Sequence, residues 1–267
     1  MKCDFCANSS LPEEIMFMDI NTASYIATEL IKFGPKMRIV FAMRGEPTLN
    51  DAIHSITSIF RTVLPESQIT LITNGSRCTL EFAVEWLNSG GNILAIDCYG
   101  KSFETFKYRF QGKSGFVFVD KYDSNIWCYR GSRLRELVLI PDIVVSGEKS
   151  REFENQADWI PKEAYDKYNI KKPGLQPLVK KCVNPFRELV IQYDGSVPLC
   201  CKDWTGQRIL FKEDYYENWF LNEQLNQLRY KLLCKDRSEY PCSRCTSDGG
   251  YRIGLLPTAE EFKKENL

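Results

Sequence analysis

Eleven cysteines beside a single histidine are the residues whose chemistry stands out in this 267-residue chain. A chain of this length buries enough apolar surface to fold without disulfide staples, so surplus cysteine points to thiolate ligands or redox chemistry. One histidine excludes a His-rich metal site and argues against a Ser-His-Asp triad. Cys182, Cys200, Cys242 and Cys245 bracket a predicted hairpin and a predicted helix, and Cys242-Ser243-Arg244-Cys245 sets two thiols on one short turn limited by Pro241. Four thiolates suit zinc and a 4Fe–4S cluster alike, and spacing does not separate the two. Cys201 and Cys234 are spare candidates; Cys200 is preferred because its neighbour should point to the opposite face of the strand. Cys3-Asp4-Phe5-Cys6 forms a second C-x-x-C pair, whereas Cys78, Cys98 and Cys128 lie in apolar surroundings and read as packing residues.

These side chains need elements to hold them. Strand-like runs at Met37–Ala42, Gln68–Thr73, Asn92–Asp97, Gly115–Val119 and within Glu136–Val145 alternate with helical patterns at Asp51–Phe60, Arg77–Asn88 and Phe103–Phe110. That alternation predicts βαβ units with covered parallel strands. A helical pattern over Ile20–Phe33, stopped by Gly34-Pro35, comes before the first strand. Polar residues at the C-terminal ends of such strands are where α/β sheets bind ligands, which makes Asp97, Tyr99 and Asp120 candidates for the substrate side. The same residues also suit plain loop caps.

Lys171-Lys172-Pro173-Gly174 and Pro177 read as a linker that no helix crosses. Beyond it, Glu188–Tyr193 and Ser196–Leu199 flank Asp194-Gly195, a strong hairpin signal. A helix over Tyr216–Leu233 follows, with Phe220, Leu221, Leu225, Leu228 and Leu232 along one side. This second region is too small for an ample core of its own and needs a metal or tight docking. Trp204 and Trp219 read as anchors of that core, and His54 needs no role beyond its helix. Arg130, Arg133 and Arg135 form a small basic turn that suits either an anion or solvent.

Thirty-five basic and 35 acidic residues leave no net charge, which argues against a nucleic-acid partner held by phosphate contacts. No window of 18 continuous apolar residues occurs, so no membrane span is expected. The start, Met1-Lys2-Cys3-Asp4-Phe5-Cys6, carries no apolar signal region, and a cytoplasmic location is expected.

Taken together, Cys3-x-x-Cys6, Arg44-Gly45-Glu46-Pro47 after one strand and Thr73-Asn74-Gly75 after the next resemble the radical S-adenosylmethionine superfamily. The resemblance implies that Cys3 and Cys6 are the second and third ligands of a 4Fe–4S cluster that chelates S-adenosylmethionine. It further implies that Gly45, Glu46 and Pro47 meet the cofactor's amino group and that Asn74 helps hold its ribose. The later cysteines, with Asp194-Gly195-x4-Cys200 and Cys201-x-Asp203-Trp204-x-Gly206, resemble the auxiliary-cluster region of the SPASM/twitch subgroup in its one-cluster form. Dehydrogenases of aminocyclitols share that shorter arrangement. By this likeness Cys182, Cys200, Cys242 and Cys245 hold an auxiliary 4Fe–4S cluster.

The implied architecture is an α/β partial (β/α)6 TIM-like barrel lacking its first strand, plus a small C-terminal hairpin and helix domain. Its divisions are a core over residues 1–160, a linker over 161–181 and the auxiliary domain over 182–267. The implied activity uses a 5′-deoxyadenosyl radical to oxidise or modify a small molecule or peptide, with a reducing partner such as flavodoxin or ferredoxin. The family's first cluster cysteine would fall four residues before Cys3, ahead of Met1, so a shortened N-terminus is expected. The competing expectation is an inactive member that binds only iron–sulfur or zinc.

Overall fold

The computed structural model describes residues 6, 16–99, 102–113, 115–120, 130–142, 162–167, 178–203, 206–212, 216–247 and 256–267. Cys3, Cys128 and Trp204 lie outside them. The chain divides into two compact units, Ile15–Ser150 and a second made of Arg151–Leu267 with Lys2–Glu14.

Five strands build the first unit: β1 (Arg38–Phe41), β2 (Gln68–Thr73), β3 (Ile93–Tyr99), β4 (Val117–Val119) and β5 (Glu136–Asp142). All their pairings are parallel, in the order β1-β2-β3-β5-β4, with Arg38 opposite Gln68, Thr70 opposite Ile93 and Ile93 opposite Glu136. A barrel built in chain order would seat β4 beside β3. Here β5 takes that place and β4 lies at the edge, so among the described strands the sheet is open. Along β2 and β3, residues of both faces are buried, the pattern of a parallel sheet covered on each side. On one face Ile93, Ala95, Val138 and Ile140 form a core joined by Ile72 and Val119.

The helices of this unit are α1 (Ile20–Leu30), α2 (Ile53–Val63), α3 (Leu80–Asn88) and α4 (Ser102–Phe110). Asp19 starts α1 by accepting the Thr22 amide at 2.9 Å, and Thr79 starts α3 by accepting the Phe82 amide at 3.1 Å. The run beginning at Arg77 therefore becomes helix only after that cap. At the opposite end of the sheet, Asn92 ties three strand starts together. Its Oδ1 accepts the Ile69 amide at 2.7 Å, and its Nδ2 donates to the Ser132 and Leu134 carbonyls at 2.7 and 3.0 Å.

In the second unit, a six-residue helix α5 (Lys162–Lys167) stands ahead of the Lys171–Pro177 segment and buries Ala164 and Tyr165. After α6 (Asn184–Arg187) comes a hairpin of β6 (Ser196–Pro198) and β7 (Ile209–Lys212). The ladder partner of Ser196–Pro198 is thus not Glu188–Tyr193. The Asp194-Gly195 turn does form, with Gly195 at φ +80° and the Gly195 amide donating to the Gln192 carbonyl at 3.1 Å. The chain then pairs forward because buried Asp203 closes the next turn, accepting the Gln207 and Arg208 amides at 3.1 and 2.9 Å.

The predicted helix over Tyr216–Leu233 is broken in two. A 3₁₀ turn covers Tyr216–Trp219, and α7 (Glu223–Leu233) starts afresh where the Asn222 side chain accepts the Leu225 amide at 2.9 Å. Phe220 and Leu221 fall in the break and are exposed, whereas Leu225, Leu228 and Leu232 are buried. Trp219 is a core anchor, with the guanidinium of buried Arg229 lying 4.6 Å from its ring centre. α8 (Ala259–Asn266) opens on a capping box between Thr258 and Glu261. No helix among the described residues is long and apolar enough to cross a membrane.

Candidate active site and cysteine centre

Parallel strands bring the ends of β1, β2, β3 and β4 to one edge of the sheet. Glu46 organises that edge. After β1 the backbone turns through Met43 at φ +87° and Gly45 at φ +76° before Glu46 caps a 3₁₀ turn over Pro47–Leu49. A methionine at positive φ is strained, and such strain gathers at ligand sites. One carboxylate oxygen of Glu46 accepts the Thr48 amide at 3.0 Å, the Thr48 hydroxyl at 2.6 Å and the Thr73 hydroxyl at 2.6 Å. The other accepts the Asn74 amide at 2.8 Å. One side chain therefore fastens the loop after β1 to the end of β2.

Asn74 is half-buried and turns its own carbonyl oxygen to the Ser76 amide at 2.8 Å. Gly75 is required by space as well as by its φ of +74°: a Cβ there would stand 2.3 Å from the Phe106 ring. Gly45, with equally positive φ, has open space around it, leaving its backbone accessible. Asp97 and Tyr99 are half-buried at the end of β3, and Asp120 follows β4, paired with Lys107 at 3.1 Å. Sequence reasoning missed Thr48 and Thr73 as partners of Glu46; the Thr73-Asn74-Gly75 run was their available signal.

Arg130 and Arg135 belong to the opposite edge, before β5. Arg130 pairs with Glu136 at 2.8 Å and Arg135 donates to the Asn88 side chain at 2.6 Å, as a structural turn does. Cavities of about 450 and 420 Å³ open beside Tyr108, Arg109, Gln111 and Lys113 and beside Glu66 and Arg130–Leu134, away from the Glu46 edge. The Glu46 edge outweighs them here, because its geometry engages several strand ends.

In the second unit Cys182, Cys200, Cys242 and Cys245 are all buried free thiols. They act on one another electrostatically: Cys182 is influenced by Cys245 and Cys201, Cys200 by Cys201 and Cys242, and Cys242 by Cys182 and Cys245. Burial pushes the Cys182 thiol up to about 11 and the Cys242 thiol up to about 12. Cys200 is raised first by its hydrogen bond with Cys201 and then by burial. Main-chain N–H groups point at the sulfurs, from Lys202 to Cys200 at 3.2 Å and from Ser247 to Cys245 at 3.3 Å. Hydrogen bonds of that kind stabilise thiolate and tune metal-bound sulfur.

Among the described residues, no three His, Cys, Asp or Glu side chains stand at metal-binding geometry. The donor set itself, four buried soft sulfurs with amide donors on two of them, fits a tetrathiolate centre in its chemistry. Cys6 is half-buried and outside any disulfide, Cys201 is less buried than Cys200, and Cys234 is exposed. Cys78 and Cys98 are buried packing residues, their thiols pushed up to about 12 by burial.

Comparison with known proteins places the fold. No protein-family profile matches the sequence, and no curated protein does. Two solved structures match over most of their length. One is BtrN in complex with AdoMet and 2-DOIA, with a TM-score of 0.69 and 17% identity over 92% of this chain and 87% of that one. The other is selenomethionine BtrN in an open conformation, at 0.60 and 15% over 92% and 86%. The chain thus shares the α/β fold of BtrN.

Proposed function

We propose that this chain is a radical S-adenosylmethionine enzyme of the one-auxiliary-cluster kind, acting on a small molecule or peptide. The observation that carries the reading is a donor set of four buried cysteines, electrostatically coupled in pairs, in the second unit of a chain with this fold. When bound, the clusters and S-adenosylmethionine supply a 5′-deoxyadenosyl radical that takes a hydrogen atom from an unactivated carbon. Cys3 and Cys6 are assigned to the cofactor-binding cluster, and Cys182, Cys200, Cys242 and Cys245 to the auxiliary one. With four protein thiolates the auxiliary centre keeps no open iron position, which favours electron transfer or a structural role over substrate ligation.

The chain's own residues contribute placement. Glu46 holds the Gly45 backbone and the Asn74 turn in fixed relation, so a cofactor amino group and ribose would meet preformed partners. Asp97, Tyr99 and Asp120 are proposed to face the substrate from the ends of β3 and β4. A flavodoxin- or ferredoxin-like partner is proposed to deliver electrons.

Anaerobic purification with iron and labile-sulfide assays tests the reading, together with equilibrium binding of S-adenosylmethionine. Iron and sulfide in equal amounts, with cofactor bound, are expected. Stoichiometric zinc without sulfide would defeat both cluster assignments, and cluster without cofactor affinity would favour the binding-protein alternative.

A further inference from the structure

Arg237 is 3% exposed, just beyond α7. Its guanidinium donates to three main-chain carbonyls: Nε to Lys180 at 2.9 Å, Nη2 to Lys181 at 3.0 Å and Nη1 to Ser247 at 2.7 Å. Lys180 and Lys181 lead directly into Cys182, and Ser247 lies two residues past Cys245. One side chain therefore clasps the two chain segments that carry cysteines distant in sequence.

Among the described residues Arg237 has no charge partner, since no carboxylate pairs with it. Arg208 is matched by Glu239 at 2.8 Å, and that same carboxylate also takes Lys231. Arg229, likewise without a carboxylate among the described residues, donates to the Pro185 carbonyl and the Asn226 side chain and sits among aromatic faces, where burial drops it to about 10. A buried guanidinium served only by neutral carbonyls is costly. The carbonyl partners of Arg237 hold it beside the segments that carry Cys182 and Cys245.

Four thiolates around a divalent metal ion or an oxidised 4Fe–4S core carry a net charge of about −2. Resting on the cluster reading above, we propose that Arg237 is the fixed counter-charge of the auxiliary centre and the clasp that positions its ligand-bearing segments. The centre is in turn the counter-ion that the buried guanidinium does not find among the described residues. Because reduction adds a further negative charge, Arg237 favours the reduced state and raises the centre's midpoint potential.

The test uses the full chain in a Cys3→Ala/Cys6→Ala background, so that only second-unit iron is read, reconstituted anaerobically with ferrous iron and sulfide. Arg237→Gln is compared with Arg237→Lys by iron retention under a chelator, midpoint potential from EPR-monitored titration, and far-UV circular dichroism. Arg237→Gln is expected to lose retention by about tenfold or more, as loss of an outer-shell partner does, and to shift the potential negative. Arg237→Lys, which keeps the charge, is expected to hold the parent potential.

A parent without iron and sulfide overturns the cluster reading and this proposal with it. A loaded parent with Arg237→Gln unchanged in retention and potential overturns the role of Arg237 alone. Should Arg237→Gln fail to fold, Arg237→Lys decides: a matched potential upholds the counter-charge, and a negative shift overturns it.

Discussion

Glu46 shows how one acid can serve two strand ends at once. Its carboxylate accepts four hydrogen bonds, and an oxygen replaced by a donor keeps none of its own. Glu46→Gln turns one oxygen into an amide, so either Asn74 or the two threonines lose a partner. Chemical denaturation is expected to register a loss of about 1–3 kcal/mol, with weaker S-adenosylmethionine binding. An unaltered midpoint would show the strut is dispensable. Gly75→Ala is harsher, since its Cβ would meet the Phe106 ring and the backbone lies at positive φ. A cost of about 2 kcal/mol or more is expected as a lowered melting temperature. Glu46 and Gly75 stood out in the sequence because their motifs are contiguous. Thr48 and Thr73 were overlooked as its partners because threonine in a strand or turn normally reads as propensity. Arg237 was invisible: nothing local relates it to Lys180 or Ser247, and only folding brings them together.

Among the elements, those with strong periodicity were legible almost to the residue. Gln68–Thr73 forms β2 with both predicted ends, because β-branched residues there fill both faces. The hairpin misled for a physical reason. Asp194-Gly195 specifies a turn but not the length of the ladder that follows, and the buried Asp203 carboxylate settles the real partner five amides later. The helix over Tyr216–Leu233 was likewise divided by Asn222, whose capping preference outweighs the continuing apolar pattern. Asn222→Ala is therefore expected to cost about 1 kcal/mol, measured by thermal melting, with Asn222→Asp close to wild type. On α2, His54 packs edge-on to Phe82 at 4.9 Å between ring centres, and burial lowers its pKa below 6.5. The unfolded chain then binds the proton more readily, so this contribution is present above pH 6.5 and lost as pH falls from there through the lower folded-state pKa. A His54→Gln variant should show a flatter stability profile across that range; an identical slope would remove His54 as its cause.

At the scale of the molecule, two units with separate cores should unfold in two calorimetric transitions. If the cysteine centre is metallated, Cys242→Ser is expected to empty it and lower only the second unit's transition, since bound metal stabilises the folded form alone. Full metal content and an unmoved transition would count against that ligand. The overall class of fold was readable from alternating periods, but the neighbour of each strand was not, because hydrophobic pattern records coverage rather than pairing. That strand order has a consequence for synthesis. β4 leaves the ribosome about a second before β5, at ordinary elongation speed, yet β5 is the strand that must part it from β3. During that interval β3 presents an open margin to which β4 can attach, and the arriving segment has to displace it. A released fragment ending at residue 135, in which β4 can rest only provisionally on β3, is expected to be cut around Val117–Val119, and one extended through Asp142 to be protected there.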